Sequence, residues 1–304
     1  MTTNPPNTDL DDLVTEAVAD DSLMLDELGV AELVTLMNDR DATIPVAVRE
    51  ALPVIATAIE ATIDRMRRGG RLIYAGAGTS GRLGVLDASE IPPTFGADPG
   101  VVIGLIAGGP AALVSSVEAA EDSDDAGAAD VDGLNPTPLD VVLGIASSGR
   151  TPYVIGALRR AGELGALTVG LSCNLNTPVS AAADFGIEIP VGPEIVTGST
   201  RLAAGTATKM VLNMFSTVSM IKLGKSYRTL MVDVKATNAK LVRRAIRIVV
   251  MATGADEETA REALDRTDWH AKEAIAMIAT GMDAEEVRAA LEAAGGFLGK
   301  IVGR

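Results

Sequence analysis

Five short apolar runs, at 71–76, 101–107, 139–146, 166–172 and 186–191, alternate with stretches of helical spacing near 79–89, 110–121, 152–164 and 178–183. Short apolar runs bounded by turn residues are strands buried on both faces, and strands separated by helices pair in parallel under helices on both sides. The pattern predicts an α/β fold built on a doubly wound parallel sheet. Helices are expected before it, over Val30–Asn38 and Val46–Arg68, and a long one after it, over 199–223. Beyond Ala236 the strand signal stops, and 236–304 read as Ala-rich helices broken at Gly254, Gly281 and Gly295-Gly296. The expected division is 1–57 for a tail and N-terminal helices, 58–235 for the α/β domain and 236–304 for a small helical bundle.

Within the last segment the stretch from Thr253 lines up without gaps on the stretch from Thr280, an offset of 27. Thr-Gly, an Asp, then Arg-x-Ala-Leu recur, which implies two copies of one short helical hairpin. Such a bundle is packing or dimer material rather than chemistry. Residues 1–22 are polar, acidic and Pro-containing, and read as a mobile tail.

Two of the strand-to-helix turns carry the functional information. The run LIYAG opens into Gly76-Ala77-Gly78-Thr79-Ser80-Gly81, and LDVVLGIA opens into Ser147-Ser148-Gly149-Arg150-Thr151 before Pro152. Glycines, hydroxyls and a new helix at the end of a buried strand aim main-chain N–H groups and side-chain oxygens at one spot, which suits an anion. A third lead-in, Pro193-Glu194 through Gly198-Ser199-Thr200, precedes the long helix. Hydroxyl-rich turns in this number suggest a phosphorylated small molecule.

Charge sets the terms for holding it. The 304-residue chain carries a net charge of −15, so an anion must be held by local dipoles and a few cations against the overall field. Arg82, Arg150, Arg201 and Lys209 are the candidates. The same acidity, with only 3% aromatic residues, leaves no basic or stacking surface for nucleic acid. No apolar run reaches the roughly 18–20 residues of a membrane span, and the start MTTNPPNTDLDDL is acidic where a signal peptide is basic, so neither a membrane partner nor export is expected and the cytoplasm is the expected location. One Cys and one His allow no disulfide and no ordinary zinc site; no metal is expected. Cys173 ends an apolar run and reads as a small buried hydrophobe, and His270 beside Trp269 as surface packing.

Gly76-x-Gly78-x-x-Gly81 also matches a dinucleotide fingerprint, which requires an acidic residue at the end of the second strand. Here that strand ends in Ala107-Gly108-Gly109, and Asp98 precedes it, at the wrong edge of the sheet. A nicotinamide cofactor is therefore not expected. Two glutamates remain for chemistry. Glu90 stands before Ile91-Pro92-Pro93, where the prolines are expected to end the helix, and Glu121 lies 31 positions on, at the expected end of the helix over 110–121. Alone, Glu121 reads as a solvated surface charge, whereas for Glu90 a helix-end carboxylate and a catalytic group stand as equal readings. Together, at the carboxyl edge of the sheet, they would make a workable acid and base.

The strings GAGTSGRLGVLDASEIPPTFG (76–96), GLIAGG (104–109), ASSGRTPYVIGAL (146–158), EIVTGSTRLAAGTATKMVLNM (194–214) and LMVDVKATNAKL (230–241) closely resemble the N-acetylmuramic acid 6-phosphate etherases over roughly residues 25–304. The resemblance implies a sugar isomerase (SIS) domain, a phosphosugar-binding doubly wound fold over 58–235, and cleavage of the lactyl ether of N-acetylmuramic acid 6-phosphate to N-acetylglucosamine 6-phosphate and D-lactate. By motif it implies Glu90 as the proton donor and Glu121 as the second active-site residue, no cofactor, and a homodimer with the helix over 199–223 as the expected interface. The family pattern Thr-Glu-x-Arg-Asn appears here as Thr15-Glu16-Ala17-Val18-Ala19, without the Arg and Asn, and a Cys common after the glutamate is Ile91.

On this reading the phosphate lies against Ser147, Ser148, Thr151 and the helix N-terminus they cap, with Thr79, Ser80, Ser199 and Thr200 around the sugar. Glu121 removes the proton on carbon 2 and Glu90 protonates the departing lactyl oxygen, which requires burial or a neighbouring carboxylate to keep Glu90 protonated. A non-catalytic phosphosugar sensor resembling glucokinase regulatory protein and an aldose-ketose isomerase on the same domain are the competing readings.

Overall fold

The computed structural model describes residues 13–19, 24–117, 119–234 and 238–303. They fall into two compact units, one from the chain up to Ala88 with Val102–Phe215, the other from Ser89–Val101 with the chain from Ser216 on.

The first unit is built on a five-stranded parallel sheet, β1 (Leu72–Gly76), β2 (Val102–Ile106), β3 (Val141–Ile145), β4 (Leu167–Ser172) and β5 (Phe185–Glu188), in the order β2-β1-β3-β4-β5. All five expected strands are present, and the class is α/β as anticipated; the last strand begins and ends earlier than its apolar run. β1 and β3 are buried along their whole length, as strands covered on both faces must be. Helices α1 (Val30–Asp41), α2 (Ile44–Glu50) and α3 (Leu52–Arg67) precede the sheet, the run expected as one helix being divided at Ala51 ahead of Pro53. Leu13 and Thr15 are buried and Thr15 Oγ1 accepts from Asn174 Nδ2 at 3.0 Å, so the mobile tail expected over 1–22 does not extend to these residues; most of the rest of that stretch lies outside the described residues.

At the end of β1 the chain turns directly into α4 (Gly78–Phe95). A Cβ on Gly76 would stand 2.7 Å from the amide nitrogen of Gly81, and one on Gly81 would stand 2.6 Å from the carbonyl oxygen of Gly76. The glycine spacing that resembles a dinucleotide fingerprint is thus accounted for by strand and helix packing backbone on backbone. On the other side of that helix Tyr74 donates to Asp87 Oδ2 at 2.8 Å and Asn213 Nδ2 donates to Oδ1 at 2.7 Å, joining β1 to α4 and to α8 (Ala203–Lys222).

The opposite edge of the sheet is fixed by a buried carboxylate. Asp140, 1% exposed, accepts from the amides of Arg71 and Thr137 at 2.7 and 2.8 Å and from the Arg71 guanidinium at 2.8 and 3.1 Å. These bonds tie the start of β1 to the start of β3.

Between β2 and β3 the structure differs from expectation. No helix covers 110–121; short 3-10 turns occupy Gly109–Leu113 and Ala120–Asp122, and a helix not anticipated, α5 (Asp124–Gly133), follows. Gly108, Gly109 and Ala119 all have positive φ, which a continuous helix cannot accommodate. Helices α6 (Pro152–Glu163) and α7 (Pro178–Ala181) fall where expected, and α8 begins four residues later than its predicted start at 199.

The second unit contains helices α9 (Ala239–Thr253), α10 (Glu257–Arg266), α11 (Ala271–Thr280), α12 (Ala284–Ala293) and α13 (Gly299–Val302) around a core that includes Val249, Leu264, Ile275 and Val287. The internal repeat is structural: α10 and α12 lie 27 positions apart, each preceded by an N-cap aspartate, Asp256 or Asp283, and by a left-handed glycine, Gly254 or Gly281. Among the described residues no single helix is long and apolar enough to cross a membrane.

Burial alone would raise the Asp140 carboxyl, but the Arg71 guanidinium and the two amides outweigh it and hold the group below the ordinary carboxylate range. A carboxyl lowered in the folded state stabilises fully above its unfolded value of about 3.9, and that contribution fades as pH falls through the lower folded value. Denaturant melts at descending pH below about 4 should show a stability loss that Asp140→Asn lacks.

Candidate functional site

The strand order places a topological switch point between β1 and β3: the chain leaving β1 returns on one side through β2, and the chain leaving β3 continues to β4 and β5 on the other. Loops diverge from the carboxyl edge at such a point and open the crevice where sheets of this kind bind ligands. The two loops flanking it are those singled out by their hydroxyls, which carry Thr79 and Ser80 after β1 and Ser147, Ser148 and Thr151 after β3. Ser80 is buried; Thr79, Ser147, Ser148 and Thr151 are half-buried. Thr79 Cγ2 and the Thr200 carbonyl oxygen lie 3.7 and 3.6 Å from the position a Cβ would take on Gly205 in α8, so the third lead-in reaches the same crevice. Within the first unit, the turn after β1 and the lead-in to α8 therefore meet, and the turn after β3 leaves the neighbouring strand.

The loop after β3 is held by its backbone. Gly149, at φ +70, donates to Ala146 O at 2.9 Å and accepts from the Val179 amide at 2.9 Å, and a side chain there would run into Thr177. Ser147 O accepts from the Cys173 amide and from Asn174 Nδ2, both at 3.0 Å. Asn174 is buried and also holds Thr15, and no sequence motif marked it. One detail differs from expectation. Thr151 occupies the N-cap position of α6, but its side chain makes no capping bond. Ser148 Oγ instead accepts from the Arg150 amide at 3.2 Å.

The start of α8 is capped by a residue the sequence did not single out for that task. Glu194, 1% exposed, accepts from the amides of Ala203 and Ala204 at 2.9 and 3.0 Å. Its carboxylate occupies the positive end of that helix, with Ser199 and Thr200 in the intervening turn. Neither acidity nor spacing in the sequence pointed to it; only burial reveals it. Cys173 is buried as expected, and burial pushes its thiol up to about 12.

Glu121 sits in the 3-10 turn before α5, not at the end of a helix, and its side chain is exposed. It lines a cavity of about 210 Å³ together with Ala77, Gly78, Arg82, Ala107 and Val117, at the carboxyl ends of β1 and β2. Glu90 belongs to the second unit and is also exposed, so the chain's own packing does not supply the burial asked of an acid. The prolines do not end its helix: α4 runs through Pro92 and Pro93 to Phe95, and the Gly96 amide closes the last turn on Pro92 O at 3.0 Å. Arg150 is half-buried at the hydroxyl loop, whereas Arg201 and Lys209 are exposed. Among the described residues no group of three His, Cys, Asp or Glu side chains is placed to hold a metal ion.

Residues 120–218 match the SIS domain, 54–163 the glucokinase regulatory protein N-terminal SIS domain, and 228–294 the C-terminal lid domain of glucokinase regulatory protein. The N-acetylmuramic acid 6-phosphate etherase of Streptomyces avermitilis is 57% identical over 290 residues, which is 95% of this chain and 93% of that protein. The chain belongs to the N-acetylmuramic acid 6-phosphate etherase family. The etherase of Pectobacterium atrosepticum, 52% identical across 97% of both chains, shows the same relation in another bacterium. A phosphoheptose isomerase from Francisella tularensis superposes with a TM-score of 0.52 at 16% identity, over 64% of this chain and all 100% of that one, a likeness of fold. The etherase family thus accounts for the SIS-type sheet and for the helical segment that follows it.

Removing the cap on α8 should be costly because two amides at a buried helix end lose a charged acceptor. Glu194→Ala is expected to lower stability by about 2 kcal/mol and Glu194→Gln by about half of that, read by urea denaturation.

Proposed function

We propose that this chain cleaves the D-lactyl ether of N-acetylmuramic acid 6-phosphate, a carbon–oxygen lyase reaction that yields N-acetylglucosamine 6-phosphate and D-lactate in cell-wall amino-sugar recycling. The observation that carries this reading is its identity with etherases over nearly the full length of both chains. The switch-point crevice supports it, because a phosphosugar needs a cradle of N–H groups and hydroxyls, and Ser147, Ser148 and Thr151 provide one around the phosphate while Thr79, Ser80, Ser199 and Thr200 face the sugar.

An ether is a poor leaving group, so the reaction runs through an adjacent carbanion. With the sugar open and carbon 1 an aldehyde, Glu121 takes the proton from carbon 2, that electron pair forms the bond between carbons 2 and 3, and the bond from carbon 3 to the lactyl oxygen breaks as Glu90 donates its proton there. D-lactate departs. Water then adds, its hydroxide to carbon 3 and a proton to carbon 2, with the two carboxyl groups exchanging roles, so atoms balance as substrate plus water to the two products. Both carboxyl groups are exposed, and a bound sugar would supply the cover that the protein leaves out. The chemistry needs neither a metal nor a nicotinamide. A homodimer working in the cytoplasm completes the reading.

Glu90→Gln and Glu121→Gln should each lower D-lactate release by about 100-fold or more, since positioned acid or base groups contribute roughly 10²–10⁴-fold. Turnover in deuterated water should place deuterium on carbon 2 of the product. Full activity in both variants, or ketose formation in place of lactate, would overturn the assignment. Stabilisation by sugar phosphates without any turnover would favour the sensor.

A further inference from the structure

We propose that Arg82 recognises the carboxylate of the departing lactyl group and so makes the site selective for an acid-bearing ether; this rests on the etherase reading above. The substrate carries two anions. Its phosphate suits the hydroxyl-rich loops, but its carboxylate is separated from the ether oxygen by a single carbon and must lie beside the reacting bond. Whatever cavity holds the base at that bond must also deal with this charge.

Among the described residues, the cavity that Glu121 lines contains one cationic side chain, Arg82. At about 210 Å³ it is smaller than the roughly 300–1,000 Å³ of a pocket that takes a whole drug-sized ligand, so it fits a side arm of the sugar better than the ring. Arg82 is aimed by its own chain: Nε donates to Leu113 O at 3.2 Å and Nη2 to Ser115 O at 3.3 Å. Those two bonds use part of a fork of five donors and leave the remainder for an incoming carboxylate, the partner that fork geometry fits best. No carboxylate pairs with Arg82 among the described residues.

Electrostatics give the arrangement its purpose. In a chain of net charge −15, with Glu121 in the wall, a second carboxylate would be repelled from this cavity unless a cation stood in it. The first turn of α4, beginning at Gly78 in the same wall, adds the positive end of an 18-residue helix. The 3-10 turn over Gly109–Leu113 supplies the carbonyl that orients the guanidinium, so the irregular segment after β2 serves as the support for Arg82.

The test compares the natural substrate with its lactamide analogue, in which the carboxylate is a neutral amide, using the full chain, Arg82→Met and Arg82→Lys. The unaltered enzyme should favour the acid by at least 10-fold in kcat/KM. Arg82→Met should lose about 100-fold on the acid, mostly in KM, and less than about threefold on the amide, with Arg82→Lys between. D-lactate should inhibit the unaltered enzyme and lose that effect in Arg82→Met. Equal losses on both ethers, as a phosphate contact or a merely structural role would give, overturn the proposal, as does no loss on either. If Arg82→Met fails to fold, the same comparison with Arg82→Lys decides. Absence of D-lactate release by the unaltered chain would instead sink the etherase reading itself.

Discussion

At the carboxyl end of β1 the backbone of Gly76 runs against that of Gly81 with no side chain between them, and the binding crevice is a consequence of that contact. A Cβ on either residue would meet main-chain atoms of the other at 2.6–2.7 Å, so helix α4 can start at the very edge of the sheet only because both are glycine. With α4 in that place, its first turn presents Thr79 and Ser80 toward the switch point, and the following turn presents Arg82 beside the end of β2. Asp140 does the matching work at the other edge, where it locks the starts of β1 and β3 so that their carboxyl ends, and the loops leaving them, are held in register.

What the sequence disclosed follows from which forces leave a periodic trace. Strands buried on both faces need unbroken apolar runs, so all five could be read. Helix α5 could not, because Val131 is the one large apolar side chain it buries and the rest of its close approach to α6 is through glycine: a side chain on Gly127 would collide with Tyr153 O, and one on Gly156 with Asp124 O. Two helices meeting through glycines bury backbone, and backbone has no hydropathy. Ser123, whose Oγ accepts from the Ala126 amide at 3.1 Å, and the acidic first turn of Asp124 and Asp125 were the local signs of a helix start there.

The site divides along the same line. Hydroxyls gathered at strand ends are visible in the sequence because turn chemistry restricts which residues can stand there, and Thr79, Ser80, Ser147, Ser148 and Thr151 were read from that restriction. Glu194 and Asn174 were not, since each acts across the fold on amides or carbonyls many positions away. The two glutamates offered to catalysis were singled out by their expected places near the carboxyl edge of the sheet and given their roles by resemblance, since acid spacing in a chain with 41 Asp and Glu residues has little power to discriminate. The terminal repeat was open to reading for the opposite reason. Its caps are local, an aspartate and a left-handed glycine at fixed offsets, and those recur in α10 and α12 at the same 27-residue interval.

An acidic enzyme that takes a doubly anionic substrate has to separate attraction from selectivity. Neutral donors such as N–H groups and hydroxyls can hold a phosphate without adding full charges that would also draw counter-ions or the chain's own carboxylates. A guanidinium is needed only where a second anion must approach a carboxylate that is itself part of the chemistry. The proposed contact places the cation there, anchored on the carbonyl oxygens of Leu113 and Ser115, and among the described residues no acid pairs with it, so recognition of the second anion falls to its remaining donors.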